Sequence, residues 1–200
     1  MTARIVWLAT FFGVLAWSVI DAKDLATWAL EVFPAVIGIV VMAFTFNRFP
    51  LTNLLYWLIL VHCLILMVGG HYTYAEVPLF DWIKEAFGQS RNNYDKVGHF
   101  AQGFVPVLIA RELLMRLRVV NGPRWVNFLS GCVTLAISAF YELIEWFVAL
   151  VSDEAADSFL GTQGYIWDTQ SDMGWALLGA IVSLTLLSRW HDRLIAERMA

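Results

Sequence analysis

The chain has 200 residues, of which 60% are hydrophobic and only 15% are charged, a composition too apolar for an ordinary soluble domain. Its formal net charge of −4 gives no reason to expect a nucleic-acid partner. We therefore expect a polytopic membrane protein of the all-α class. It forms a single integral membrane domain over residues 1–200, a bundle of about six transmembrane helices.

Six apolar segments follow one another along the chain, and each is near the roughly 20 residues that a helix needs to cross about 30 Å of hydrocarbon. They cover residues 5–20, 25–46, 51–68, 97–117, 125–151 and 172–190. The first is short and follows a basic start, so a cleaved signal peptide is the alternative for it, although "DAKDLA" offers no good cleavage site.

The distribution of Lys and Arg predicts the orientation. With a cytoplasmic N-terminus, the outer loops carry four of these 13 residues, and the cytoplasmic segments carry the other nine. The positive-inside rule then places both termini in the cytoplasm. The two long connections, about 69–95 and 152–171, become outer loops.

The first outer loop contains a second signal. It begins with the pair Gly69 and Gly70, which we expect to end the third span. It then continues into "PLFDWIKEAFG", where apolar and charged residues separate at helical spacing. This pattern predicts a short amphipathic helix on the membrane surface, serving as a lid or a lipid-facing shelf.

Acids and imidazoles gather at the outer ends of four spans. Six of them form three pairs, each on one helical face, and the seventh stands alone. The pairs are Asp95 with His99, Glu142 with Glu145, and Asp168 with Asp172, and the single residue is His71. This convergence predicts a shared polar site at one leaflet.

A charged carboxylate in the middle of a membrane costs on the order of 2.5–3.5 kcal/mol, so such a site needs compensation. The spans offer little positive charge at this depth, and a divalent metal (Zn, Mn or Mg) is the economical alternative. The expected metal ligands are Asp95, His99, Asp168, Asp172 and His71. We expect Glu142 and Glu145 to be the catalytic bases of a hydrolase or transferase acting on a lipid or cell-envelope precursor.

Other interpretations of the same residues stay open. The acids could hydrogen-bond with nearby polar side chains and fix the helix packing, and Asp95 and Asp168 could cap helix starts. Acids in membrane spans also mark ion pathways, so a proton- or ion-coupled transporter is the alternative function. A non-catalytic membrane scaffold is the third.

Four motifs resemble one known family. They are "GGHYTYAEVPLF", "DKVGHF", "YELIEW" and "FLGTQGYIWDTQSDMGWALLGA", and they are similar to the YjdF family of bacterial inner-membrane proteins, whose function is unknown. The resemblance implies a location in the inner (plasma) membrane. A more distant similarity, through Asp95, His99 and Asp172, is to the VanZ-like family, associated with glycopeptide resistance. Ala176 stands where that family usually carries asparagine.

Overall fold

The computed structural model describes residues 2–151 and 162–199. These two ranges contain helices and connecting segments, and no strand occurs within them. The helices are α1 Thr2–Val19, α2 Leu25–Thr45, α3 Asn53–Tyr72, α4 Pro78–Ala86, α5 Tyr94–Phe104, α6 Pro106–Arg116, α7 Pro123–Val151 and α8 Asp168–Met199. The predicted all-α class is confirmed.

Five of the described helices, α1, α2, α3, α7 and α8, are long and apolar enough to cross a membrane. The predicted fourth span is divided into α5 and α6 at Pro106, because proline has no N–H to donate and its ring crowds the preceding turn. The two halves still cross the bundle together. Tyr94 at the start of α5 donates to Ile65 O in the second half of α3 (2.9 Å), and Glu112 in α6 accepts from Thr52 N just before α3 (3.1 Å). The described residues thus form a polytopic helical bundle of five candidate membrane spans and the broken pair α5 and α6.

We call the end of the bundle that contains the start of α5 the outer end, and the end that contains Glu112 the inner end. The charge distribution in the sequence assigns these ends to the outside and the cytoplasm, respectively. Large apolar side chains face outward along the spans, among them Phe44 (80% exposed) and Phe140 (64% exposed). In lipid, such an exposed apolar surface is the stable one.

Close contact between α5 and α8 brings the polar residues of these helices together. A Cβ atom on Gly103 of α5 would lie 1.7 Å from the carbonyl oxygen of Ala176, and one on Gly179 of α8 would lie 2.1 Å from the carbonyl oxygen of Phe100. Small residues at such contacts let membrane helices pack backbone to backbone. The pair of glycines therefore determines how closely α5 and α8 approach each other.

The predicted end of the third span is wrong. Helix α3 continues through Gly69 and Gly70 to Tyr72, and Thr73 ends it in the left-handed conformation (φ 62°). The ring of Tyr74 occupies the place of a Cβ on Gly69, with its nearest atom at 2.0 Å. The glycine pair thus makes room for a neighbour and does not terminate the helix.

The predicted short amphipathic helix is confirmed as α4; its place on the membrane surface stays a prediction. Its Leu79 and Trp82 are more than 60% exposed, and Asn92 ties its start to α5 by donating to Val77 O (3.0 Å) and Asp81 Oδ1 (3.1 Å). Burial alone would raise the pKa of Asp81, but hydrogen bonds from Asn92 and Lys84 outweigh it and lower the pKa. Helix α4 is therefore fixed beside the outer end of the bundle.

Residues 152–161 of the second predicted outer loop lie outside the described ranges. Beyond them, α8 begins at Asp168, inside the predicted loop 152–171. The helix then runs without interruption to Met199. Its last turns therefore extend past the predicted sixth span, which ends at residue 190.

Candidate functional site

The acids predicted to converge at the outer end lie in two adjoining groups. The aspartate group consists of Asp95, Asp168 and Asp172, and the histidine group consists of His99, Glu142 and Glu145. Every member is buried, and within each group one potential ligand atom per residue lies within 4.8 Å of the others. Helices α5, α7 and α8 supply all six side chains.

Two buried cations sit inside the aspartate group. Lys96 Nζ lies 2.8 Å from Asp168 Oδ1, 2.7 Å from Asp172 Oδ1 and 3.3 Å from Asp95 Oδ2. Arg91 Nη1 lies 2.5 Å from Asp168 Oδ1, and its Nη2 pairs with Asp95. The expectation that little positive charge is available at this depth is therefore wrong.

The positions of Lys96 and Arg91 explain why they reach the aspartates. Lys96 is one position after Asp95 on α5 and is only 7% exposed, because the close packing of α5 on α8 turns it towards Asp168 and Asp172. Arg91 precedes α5 and also donates to Thr162 O (3.3 Å). A metal in this group would have to displace an ammonium that already contacts all three carboxylates.

The histidine group has a different character. His99 Nδ1 lies 3.8 Å from Glu142 Oε1, and His99 Nε2 lies 3.8 Å from Asp172 Oδ1, distances too long for hydrogen bonds. Glu142 Oε1 is buried and has no hydrogen-bond partner among the described residues. His99 Nδ1 also lies 3.3 Å from Gln102 Oε1. One imidazole and two carboxylates thus lie close together, a donor set that suits a divalent metal with nitrogen and oxygen ligands.

Glu31 is a member of this region that the sequence analysis missed. It lies on α2, is 6% exposed, and its Oε2 accepts a hydrogen bond from Tyr141 Oη (3.1 Å). Tyr141 adjoins Glu142 on α7. The available signal was a single acid in the otherwise apolar segment 25–46.

His71 does not join either group. Its ring lies 4.4 Å from the ring of Trp17, and its Nδ1 lies 3.2 Å from Ser18 O. It therefore contacts the end of α1 and helps to pack α1 against α3. The structure brings together the other four residues predicted as metal ligands, together with both predicted bases.

The connection before α8 closes over the aspartate group. Gln163 exchanges two hydrogen bonds with the backbone of Asn92, at 2.8 and 3.0 Å. The ring of Tyr165 lies 5.6 Å from Arg91 Cζ and 5.8 Å from Lys96 Nζ, within the range of cation–π attraction. This segment therefore contacts the cations through the ring of Tyr165 and the carbonyl oxygen of Thr162, while the side chain of Gln163 binds the backbone of Asn92.

An open cavity of about 760 Å³ lies beside the aspartate group, and we call it the outer cavity. Its volume falls within the range of small-molecule sites. Arg91 and Lys96 form part of its wall, with the aromatic rings of Phe80, Phe100, Tyr165 and Trp175. Neutral polar side chains, including Gln89 and Ser171, complete the lining.

Comparison with known proteins gives a consistent result. A family model described as a predicted membrane protein (DUF2238) matches residues 3–193. The inner membrane protein YjdF of Escherichia coli (strain K12) is 54% identical over 180 residues, which cover 90% of this chain and 86% of that protein. No solved structure matches the chain. The predicted inner-membrane location and the resemblance to YjdF are confirmed.

Proposed function

Because this chain belongs to the DUF2238 family of membrane proteins and is a multi-pass protein of the bacterial inner membrane, we propose a function at the outer end of its bundle. In this proposal the protein is a metal-dependent hydrolase or transferase that acts on a lipid or cell-envelope precursor. His99, Glu142 and Glu145 hold the divalent cation. The observation that carries the proposal is the buried, unpartnered Glu142 Oε1 facing His99.

Electrostatics supports a cation in the histidine group. Among the ion pairs of the described residues, Glu142 has His99 as its partner, and neither Glu142 nor Glu145 pairs with Lys or Arg. Two carboxylates this close repel each other unless a proton or a cation lies between them. Since an imidazole completes the donor set, Zn or Mn fits better than Mg, which prefers oxygen ligands.

The roles of the predicted site residues change accordingly. Glu142 and Glu145 become metal ligands together with His99. The ion pairs of the aspartate group instead hold the first turns of α5 and α8 in their relative orientation. When bound, a divalent cation supplies Lewis-acid activation of a water or of a substrate oxygen. Asp172 connects the two groups, because its Oδ1 lies 2.7 Å from Lys96 Nζ and 3.8 Å from His99 Nε2.

The outer cavity supports a substrate with a polar but uncharged headgroup. The charges of Arg91 and Lys96 are already matched by three aspartates, so the wall carries no surplus positive charge to attract a free anion. Aromatic rings interleaved with amide and hydroxyl groups suit a sugar or an amide-rich headgroup. The exposed apolar residues of the amphipathic helix α4 suit a lipid anchor.

Metal analysis of matched histidine variants tests this proposal. Protein purified without added chelator is measured for Zn and Mn by mass spectrometry as the wild type and as the variants His99→Gln, Glu145→Gln and His71→Gln. We expect metal close to one equivalent per chain in the wild type and in His71→Gln, and its loss in His99→Gln and in Glu145→Gln. Equal metal content in His99→Gln and the wild type, or a metal-free wild type that retains full cellular function, overturns the proposal.

One observation favours a second candidate, a proton-coupled transporter. The inner end also contains buried titratable groups, since Glu112 and His191 are both 0% exposed and their side chains lie 3.0 Å apart. Proton-dependent uptake into proteoliposomes that disappears in Glu142→Gln would favour transport over hydrolysis. The hydrogen bonds of Glu112 speak against proton transport, because its carboxylate already accepts from Thr52 N, Thr52 Oγ1 and Arg116 Nη1. The metal-dependent enzyme therefore remains the first candidate.

A further inference from the structure

The inner end of the bundle contains a second buried charged network, independent of the outer site. The carboxylate of Glu112 accepts hydrogen bonds from Thr52 Oγ1 (2.9 Å) and Arg116 Nη1 (2.7 Å). It also lies 3.0 Å from His191 Nε2. These contacts join α6 to α8 and to the start of α3, so they provide a rigid support for the residues beside them.

Arg111, next to Glu112, is like His191 a residue of this network whose hydrogen bonds are incomplete among the described residues. It is 2% exposed. Its Nε donates to Asn127 Oδ1 (2.9 Å), and its Nη2 lies 2.7 Å from Asp192 Oδ1. Its Nη1 has no hydrogen-bond partner among the described residues. A buried guanidinium donor without a partner is uncommon, and it points to a ligand.

Arg111 lines an open cavity of about 410 Å³, which we call the inner cavity. Arg118 and Asn121 form another part of its wall, and Gly122 and Pro123 complete it at the start of α7. The first N–H groups of a helix lack intrahelical acceptors and carry a partial positive charge. The inner cavity thus combines two guanidinium groups with the N-terminus of a 29-residue helix.

The charge balance of the inner cavity is positive. Asp192 also lines it and neutralises Arg111. Arg118 has no carboxylate partner among the ion pairs of the described residues and is exposed, and the helix N-terminus adds to its charge. This is the opposite of the outer cavity, where three aspartates offset two cations.

We propose that the inner cavity binds a phosphate group, held by Arg111 and Arg118 at the N-terminus of α7. Guanidinium groups bind phosphate oxygens through paired N–H donors, and helix N-termini favour the same anion. The phosphate comes either from an anionic phospholipid of the cytoplasmic leaflet or from free phosphate in the cytoplasm. The proposal does not depend on the function assigned to the outer end.

Two arginine variants form a matched pair for the test. Arg118→Gln removes a cation from the wall of the inner cavity, and Arg193→Gln removes an exposed cation from the same end that does not line the cavity. The full-length protein is reconstituted in nanodiscs of phosphatidylcholine, with and without phosphatidylglycerol, and its thermal unfolding is measured. Separately, binding of inorganic phosphate is measured by calorimetry.

We expect the wild type and Arg193→Gln to be stabilised by one of these phosphate sources, and Arg118→Gln to bind it about tenfold more weakly, the effect of losing one charge-assisted hydrogen bond. If the two variants differ in stability only in nanodiscs that contain phosphatidylglycerol, the lipid is the source of the phosphate. If they differ in their binding of inorganic phosphate, the source is the free anion. Arg111→Lys, which keeps the charge but removes the planar donors, should weaken the same binding. If Arg118→Gln and Arg193→Gln respond alike to both probes, the proposal is wrong.

Discussion

Lys96 Nζ lies 2.7 Å from Asp172 Oδ1 across the contact between α5 and α8. Both side chains are more than 90% buried, and the same ammonium also contacts Asp95 and Asp168. This lysine therefore joins the start of one broken span to the start of the last helix.

Replacing Lys96 by Gln should strongly destabilise the protein. Three buried carboxylates would be left with Arg91 as their cation, and removing one partner of a buried ion pair typically costs about 3–5 kcal/mol. Chemical unfolding in detergent measures the loss. Lys84→Gln is the control, because the half-exposed pair of Lys84 with Asp81 should contribute less than about 1 kcal/mol.

A double substitution separates the loss of the ion pair from a general loss of packing. If Lys96 and Asp172 interact as the structure shows, Lys96→Gln with Asp172→Asn should be less destabilised than the sum of the two single variants. Full additivity would contradict the direct contact.

Replacing Gly103 by Ala should push α5 away from α8. The added methyl group would overlap the carbonyl oxygen of Ala176, and overpacking of this kind costs about 1–3 kcal/mol or more. Gly131→Ala is the matched control, since nothing lies within 4 Å of a Cβ at that position of α7. There the helix propensity of alanine should leave stability unchanged or slightly raised. A comparable loss in both variants would argue against the close helix contact.

Replacing Glu112 by Leu should destabilise the inner end. The substitution leaves Arg116 and His191 without the carboxylate that they share, and the expected cost is again about 3–5 kcal/mol. Glu197→Gln, at an exposed position of the same end of α8, should change the free energy of unfolding little. Thermal unfolding of the two variants side by side measures the difference, and equal stability would refute the structural role of Glu112.

Asp24 should make stability depend on pH at the acid end. Its carboxylate caps α2 by accepting from Thr27 N (2.6 Å), and this hydrogen bond lowers the pKa of Asp24 in the folded protein. Because the folded pKa is below the unfolded one, the contribution is present above the unfolded value, near 3.8, and is lost as pH falls through the folded value.

Two substitutions at Asp24 test this. Asp24→Asn keeps a capping oxygen and should remove this acid-dependent contribution while changing stability at neutral pH little, whereas Asp24→Ala should cost about 1 kcal/mol at neutral pH. Unfolding curves across the acid range measure both. An unchanged pH dependence in Asp24→Asn would show that another group is responsible.

Much of the candidate site could be predicted from its residues, but its chemistry could not. The spacing of Asp95 with His99 and of Asp168 with Asp172, together with the order of the spans, was enough to predict their convergence at one end. Arg91 was not predicted as a partner, because it belongs to a loop whose path depends on Gln163 and Thr162, more than 70 residues further along the chain. His71 was predicted as a metal ligand of this site, but it packs against Trp17 and Ser18 at the end of α1 instead.

The sequence by itself determined the membrane class, the helical spans and the amphipathic helix α4. These depend on the length and the periodicity of apolar segments, which the hydrocarbon thickness limits directly. The tertiary structure alone decided how each helix is rotated about its own axis, and therefore which of its faces points into the bundle. Core and lipid-facing positions are both apolar, so hydropathy does not distinguish them. The rotation instead follows from close contacts such as Gly103 with Ala176, and it is these contacts that place Lys96 among the aspartates and leave Glu142 facing His99.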